Sequence, residues 1–447
     1  MTDISYHKVD AQRMPAPQGC PIDHDFSPYH ERYIADPYRW LNEKREEEPV
    51  FYSDDLGYVV VTRMEDVDYV FRNPDLFTST NVQDPVFPIC DEAARILAAD
   101  DYNPVAVMSN REQPDHTRIR KHTQACFSPR RISLLEPVIR QRAADLIDTM
   151  LAQGSPAEWV AAVGNPLPAE TIFRLIGFDP ADDKQLKDWT NDRLEFTWGK
   201  SDKDYQIRVA TNLLSYWRHV AAFVEMRKAN PADDMTSELL AAHAEHPEEI
   251  TFNEVQSVVY GLSFAGHEIV RNLISNSLLC LLSEREHWNK LLADPELIPK
   301  AVEEVLRINS AQTSWRRLTT RDTTLGGINI PKGTPIFMSL AAANHDPRSF
   351  EEPEVFDISR RNAARHIAFG RGPHICLGRI LAKLELKTVL ELVVEKVPSI
   401  RLVEDQQLEY PSNFSFRGPQ NAAGGLGVAS VWFCVDSTST GRLRRTS

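Results

Sequence analysis

The sequence predicts a mainly α protein with small β-sheets. From about Met64 to Glu249 apolar residues recur mostly at helical spacing. From Thr251 to about Leu282 the chain is apolar nearly all round, as a helix crossing an interior requires. Only short runs near residues 50–63 and 323–340 show strand character.

In chain order, residues 1–30 are polar and proline-containing and read as an extended N-terminal arm. Asp36 to Glu48 has helical spacing. Val50–Ser53 and residues 58–63 flank Asp-Asp-Leu-Gly and read as a hairpin. Two long irregular segments, Thr78 to Asp115 and Asp182 to Asp204, interrupt the helical region, and such segments in a compact domain are usually functional loops. Thr251-Phe-Asn-Glu254 is a capping box: a hydroxyl at the N-cap and a carboxylate three residues on. The helix it opens should run about 32 residues, roughly 48 Å. Its middle, Phe264-Ala-Gly-His-Glu-Ile269, places glycine, histidine and glutamate where a core would hold leucine. Ala301 to Ile308 is helical, residues 323–340 hold short strands around a Gly-Gly turn, and a last helix runs from about Cys376 to Val397. Residues 31–435 read as a single domain, and the Ser/Thr/Arg-rich residues 436–447 as a tail or linker.

With 50 Lys+Arg against 64 Asp+Glu the net charge is −14, which argues against a nucleic-acid binder. The cysteines at 20, 90, 126, 280, 376 and 434 include no CxxC pair, which favours a reducing, cytoplasmic compartment. The first 20 residues hold no apolar signal region, and no run of 18 apolar residues predicts a membrane span.

The chemistry concentrates in Phe369-Gly-Arg-Gly-Pro-His-Ile-Cys376-Leu-Gly378. Cys376 stands at a predicted helix start, where unpaired N–H groups and the helix dipole favour a thiolate. Gly370 and Gly372 permit tight turns. Gly378 removes a side chain two residues after the sulfur, leaving space for something flat. A thiolate so held suits the axial position of haem iron.

This ten-residue pattern resembles the haem-binding loop of the cytochrome P450 family, and the likeness extends over about residues 30–430. It implies the cytochrome P450 fold with a long central oxygen-binding helix, haem b as cofactor with Cys376 as iron ligand, and monooxygenation of a small or medium apolar, or aromatic, substrate by O2. Phe369 and Gly378 would pack on the haem. His116, Arg120, Arg317 and His374 would meet its propionates. Glu304, Arg307 and Arg360 would form a buried trio that supports the thiolate loop. On the oxygen helix, Gly266 would leave room for dioxygen and Glu268 would relay protons. The family's alcohol is missing, because position 269 is Ile and no Ser or Thr lies within five positions of it. A peroxide-driven or non-hydroxylating enzyme is therefore the alternative, and a haem-thiolate sensor the reading from another class. Val107, Met108, Ser263, Phe264 and Ser314 are the wall candidates for the substrate pocket.

Electrons must come from elsewhere, since the chain shows no iron–sulfur spacing and no dinucleotide fingerprint. Residues 360–387 hold seven basic residues and one acid, a local +6 suited to an acidic electron-transfer partner docking on the thiolate side. The Cys-Pro-Ile-Asp start, the His116–Arg120 helix and Phe416-Arg-Gly-Pro419 resemble the haem domain of bacterial self-sufficient enzymes, in which a flavin and ferredoxin reductase portion follows.

Overall fold

Near-continuous apolar runs, buried on both faces, set the principal sheet. Val50–Ser53 and Tyr58–Val61 pair antiparallel, with Val50 opposite Val61, as the hairpin reading expects. Strand Pro335–Ser339 runs parallel to Tyr58–Val61 and antiparallel to Ser314–Thr319, and Phe77–Thr78 closes the far edge. The computed structural model describes residues 14–190, 193–419 and 431–435. Within that range the segment before residue 31 is part of the fold, not an arm. Ile22–Asp23 adds a parallel strand beside Val50–Ser53. Phe26 is fully buried, edge-on to Phe51 at 5.3 Å and Phe337 at 5.7 Å. Residues 1–13 and the 436–447 tail lie outside the described residues.

Helices make up most of the rest, the longest being Pro129–Ala152 and Lys203–Ala229. Among the described residues none is long and apolar enough to cross a membrane. The capping box forms as predicted. The Glu254 N–H donates to Thr251 Oγ1 at 3.2 Å, and the Thr251 N–H to Glu254 Oε2 at 2.8 Å. Arg111 and Arg118 also donate to Glu254, at 2.6 and 2.7 Å. Against the push of burial, the Arg118 and Thr251 bonds hold that carboxyl down at about 2.

The predicted single long helix is in fact two, Phe252–Ala265 and Glu268–Ser283, interrupted at Gly266–His267. The His267 ring bridges the break. Its Nδ1 donates at 2.7 Å to the Ser263 carbonyl, the acceptor a backbone N–H at 267 would take in an unbroken helix. A carbonyl only accepts, so Nδ1 carries the proton, and Nε2 lies 3.3 Å from Thr190 Oγ1, whose one proton is shared with the Lys187 carbonyl at 3.2 Å. Burial keeps the ring neutral, with its pKa pushed down to about 3.

Candidate active site

The thiolate loop is shaped by two glycines. Gly370 and Gly372 both have φ +68°. A Cβ on Gly372 would stand 2.5 Å from the Phe71 carbonyl oxygen, and one on Gly370 3.3 Å from the Phe71 ring. The Cys376 N–H closes the loop on the Phe369 carbonyl at 2.9 Å. The following helix is Arg379–Lys396 with Gly378 at its N-cap, so Cys376 precedes the helix by three residues and is not its first residue. Burial pushes the thiol up, while the N–H groups of Gly378 and Arg379 and the charges of Arg120 and Arg379 pull it down. The two backbone donors do not outweigh burial and the thiol stays above its ordinary value, so the helix start alone does not make it the expected thiolate.

Cys376 is accessible although protein surrounds it, so it faces an internal hollow. Other positions open inward in the same way. Ala265 is exposed between buried Phe264 and His267. A Cβ on Gly261 or on Gly378 would meet nothing within 4 Å. Leu262, Ile269, Phe369, Leu377 and Met108 are partly exposed members of one apolar cluster. A flat apolar group with two carboxylates fits this setting, because its four basic or donor side chains meet only the carboxylate of Glu112 among the described residues. His116 Nε2 is buried without a hydrogen-bond partner among the described residues. Burial pushes that ring down to about 4, helped by His374 and Arg120. The His374 ring lies 4.1 Å away and its Nδ1 donates to the Met108 carbonyl at 3.0 Å. Arg317 is buried, and burial pushes its guanidinium down to about 10 against the pull of Glu112. Its Cζ is 5.3 Å from the Phe71 ring. Arg120 Nη2 donates to the Ile375 carbonyl at 2.5 Å, inside the thiolate loop.

The trio forms. Arg307 donates to both Glu304 oxygens at 2.8 and 2.7 Å, Arg360 Nε to Oε1 at 3.0 Å, and the Asp357 N–H to Oε1 at 3.1 Å. The Glu304 and Arg307 side chains are fully buried. Remaining guanidinium donors reach carbonyls of Asn344, Pro353 and Val355. Asn344 Oδ1 in turn receives the Ile367 N–H, two residues before Phe369.

On the central helices the expected roles shift by one residue. A Cβ on Gly266 would overlap Ile172 Cγ1 at 2.4 Å, so glycine is needed there for helix packing. Ala265 is the small residue that opens on the hollow. Glu268 is buried beside Lys187 and Arg271. Burial pushes the Lys187 ammonium down to about 8, with Arg271 adding to the push and Glu268 opposing it. Ile269 packs between two apolar clusters.

Two wall candidates are corrected. Ser263 is fully buried, donates to the Tyr260 carbonyl at 2.7 Å and receives the Tyr216 hydroxyl. Ser314 is equally buried and donates to the Phe414 carbonyl at 2.6 Å. Both are internal ties and not walls, because neither side chain is exposed. Met108 is partly exposed in the same apolar cluster as Phe369 and Leu377, whereas Val107 and Phe264 are buried. The sequence reading missed Arg193, which lies over Phe264, and Ala265. Ala265 was legible in the motif, whereas a lone arginine in an irregular segment gives no periodic signal.

The basic segment is less free than its +6 suggests. Arg360 belongs to the trio, Lys383 meets Glu303 at 2.6 Å and Lys387 meets Glu391 at 2.7 Å. Arg371 donates to the carbonyls of Arg365 and His366. Arg118, Lys121 and Arg131 also face carboxylates. Arg361 and Arg365 stay exposed.

Comparison with known proteins agrees with this geometry. The family described as Cytochrome P450 matches residues 214–407. Cytochrome P450 CYP107DY1 of Priestia megaterium is 33% identical over 398 residues, covering 87% of this chain and 95% of the relative. The structure of cytochrome P450 CREJ in complex with (4-ethylphenyl) dihydrogen phosphate is similar with TM-score 0.86 and 37% identity, over 92% of this chain and all of that one. An intact type IV self-sufficient cytochrome P450 monooxygenase gives TM-score 0.89 and 32% identity, over 96% of this chain and 55% of that one.

Proposed function

The chain belongs to the cytochrome P450 family of haem monooxygenases, and from that premise we propose that it oxygenates a small or medium substrate built on an apolar, aromatic body. One observation carries the proposal: Cys376 is enclosed yet accessible, with two N–H donors behind its sulfur and four cationic or donor side chains around it. Haem bound there supplies the activation of O2 and the transfer of one oxygen atom. Cys376 ligates the iron, and His116, Arg120, Arg317 and His374 hold the propionates. The trio of Glu304, Arg307 and Arg360 fixes the approach to the loop through Asn344 and the Ile367 N–H.

The central helices serve the other side. Ala265 leaves space above the cofactor. Glu268 holds or releases a proton at its carboxylate, with Lys187 and Arg271 setting the local charge. Phe264, Tyr216 and Tyr260 form a buried aromatic cluster, with ring centroids 4.9 to 5.3 Å apart, next to Ala265 in the chain. The aromatic ligand of the 37% identical structure supports the same substrate body. Electrons come from a reductase on the Cys376 side, where Arg361 and Arg365 are exposed. The second reading, a peroxide-driven reaction, is favoured by Ile269, which cannot donate a hydrogen bond to oxygen.

The ferrous–CO spectrum tests the ligand: Cys376→Ser should lose the band diagnostic of thiolate, and its survival would reject Cys376. Product yields with a competent reductase and with peroxide separate the two readings, and no product in either case rejects both.

A further inference from the structure

Resting on the haem reading above, we propose that Glu112 is a positioning residue for the haem: it ties together the separate segments that carry the propionate partners, and so sets how firmly the haem is held. Those partners come from three places in the chain, His116 and Arg120 on helix Asp115–Cys126, Arg317 on strand Ser314–Thr319, and His374 in the thiolate loop. Glu112 is tied to each. Its backbone carbonyl accepts the His116 N–H at 2.9 Å, at the start of the helix. Its Oε1 accepts from the Ser79 N–H, from Ser79 Oγ at 2.8 Å and from Thr78 Oγ1 at 2.9 Å. Thr78 pairs with Leu318, the neighbour of Arg317, and the Asn81 amide donates to the Arg317 carbonyl at 3.4 Å. Glu112 Oε2 stands 3.8 Å from His374 Nε2, and His374 Nδ1 donates to the Met108 carbonyl.

An acid has the wrong charge for this place if all it does is face the haem. It would repel two propionates, and a neutral side chain would leave them better bound on charge alone. What the acid supplies is an acceptor. Ser79 is fully buried, so its N–H and its hydroxyl need one, and a charged oxygen serves such donors better than a neutral one. Burial pushes the Glu112 carboxyl up, but the bonds from His374, Ser79 and Thr78 hold it down at about 2, so it is charged at neutral pH. The same bonds close the base of the long segment between Ser79 and Glu112, which carries Met108 and helix Asp91–Leu97. One side chain therefore sets the register of that segment, the propionate helix, the sheet edge and the thiolate loop.

The test is the rate at which the haem-loaded protein gives up haem to excess apomyoglobin, followed by absorbance. Positioning and charge repulsion predict opposite signs. Glu112→Ala should lose haem about tenfold faster or more, as loss of several bonds to a charged acceptor implies. Glu112→Gln keeps an acceptor oxygen for Ser79 and should lie between that variant and wild type. Thr251→Ala removes the capping-box hydroxyl elsewhere, lowers stability by about 1 kcal/mol and should leave the rate within about twofold of wild type. Should Glu112→Ala take up no haem, Glu112→Gln and Ser79→Ala read the same sign. Haem loss no faster than wild type in the Glu112 variants overturns the proposal, as does equal acceleration in Thr251→Ala. Arg317→Gln tests the underlying reading. If it also leaves the rate unchanged, the propionate assignment falls together with the proposal; if it speeds haem loss while the Glu112 variants do not, the assignment stands and this proposal alone falls.

Discussion

Gly266→Ala separates two roles for one glycine, room for dioxygen or room for a neighbouring helix. The added Cβ would stand 2.4 Å from Ile172 Cγ1, 2.8 Å from its Cβ and 2.9 Å from its Cδ1. Carbon atoms rest at about 3.5–4.0 Å, so the two helices must part by about 1 Å or Ile172 must leave its rotamer. Ile172 is 2% exposed within helix Pro166–Ile176, where a β-branched side chain keeps one preferred χ1. Overpacking of this kind costs about 1–3 kcal/mol. Denaturant unfolding of the haem-loaded protein, with the ferrous–CO spectrum as a check on the site, should show that loss. Ile172→Ala alone should cost about 2–5 kcal/mol through its cavity. Combined with Gly266→Ala it should cost at least about 1 kcal/mol less than the sum, because the methyl fills part of that space. Strict additivity, or a Gly266→Ala protein as stable as wild type, would refute the packing argument. Weakened oxygen binding at unchanged stability would restore the dioxygen role.

Three other outcomes follow from the same geometry. Glu304→Gln keeps the shape but removes the charge shared by Arg307 and Arg360, so stability should fall by about 3–5 kcal/mol in thermal or denaturant unfolding; a change below about 1 kcal/mol would mean that the carbonyl bonds alone hold the two arginines. Burial pushes the Glu385 acid up to about 8, against the pull of the Thr171 hydroxyl. The folded state then keeps a proton that the unfolded chain releases near pH 4.5, so this group's contribution to stability falls as pH rises from about 4.5 to 8. Glu385→Gln should remove that slope and stabilise the protein at pH 8 by a few kcal/mol, and denaturation midpoints at pH 5 and pH 8 that respond equally to the substitution would count against the buried neutral acid. Ile269→Thr supplies the missing hydroxyl and should raise product formed per electron pair consumed; unchanged coupling would show that position 269 takes no part in proton delivery.

What the sequence made legible was pattern with a fixed offset. The thiolate loop, the capping box, the hairpin and the Glu304–Arg307 pair each depend on residues a few positions apart, and each forms. Direction was harder to read. Spacing cannot say that Gly266 faces Ile172 while Ala265 faces inward, because one residue is a 100° turn and the outcome depends on which helix packs on which side. Ser263 and Ser314 failed as wall residues for the same reason: a hydroxyl is polar in the sequence, but its partner is a distant carbonyl or tyrosine. Charge also misled. Seven basic residues in 28 look like a patch until Glu303, Glu304 and Glu391, all three outside the window, come back to meet them.

The break at residues 266–267 explains how one helix meets incompatible demands. Residues 265 to 269 must present a small side chain to the hollow, admit Ile172, bring Glu268 to Lys187 and Arg271, and seal two apolar clusters with Ile269. A regular helix spreads five successive residues over all sides at fixed angles, and opening one turn lets those angles adjust. The cost is lost backbone hydrogen bonding, about 0.5–1.5 kcal/mol for each bond. His267 offsets it by serving the Ser263 carbonyl through its ring, and its other nitrogen ties the break to Thr190. Thr190 lies three residues after Lys187 on helix Asp183–Thr190, so the element that supplies charge to Glu268 also anchors the break. Histidine is suited to this place because a neutral imidazole donates at one nitrogen and accepts at the other, and burial holds it in that form. Leucine at 267 would suit the core better by hydrophobicity, but it would leave the Ser263 carbonyl without the ring N–H that now serves it.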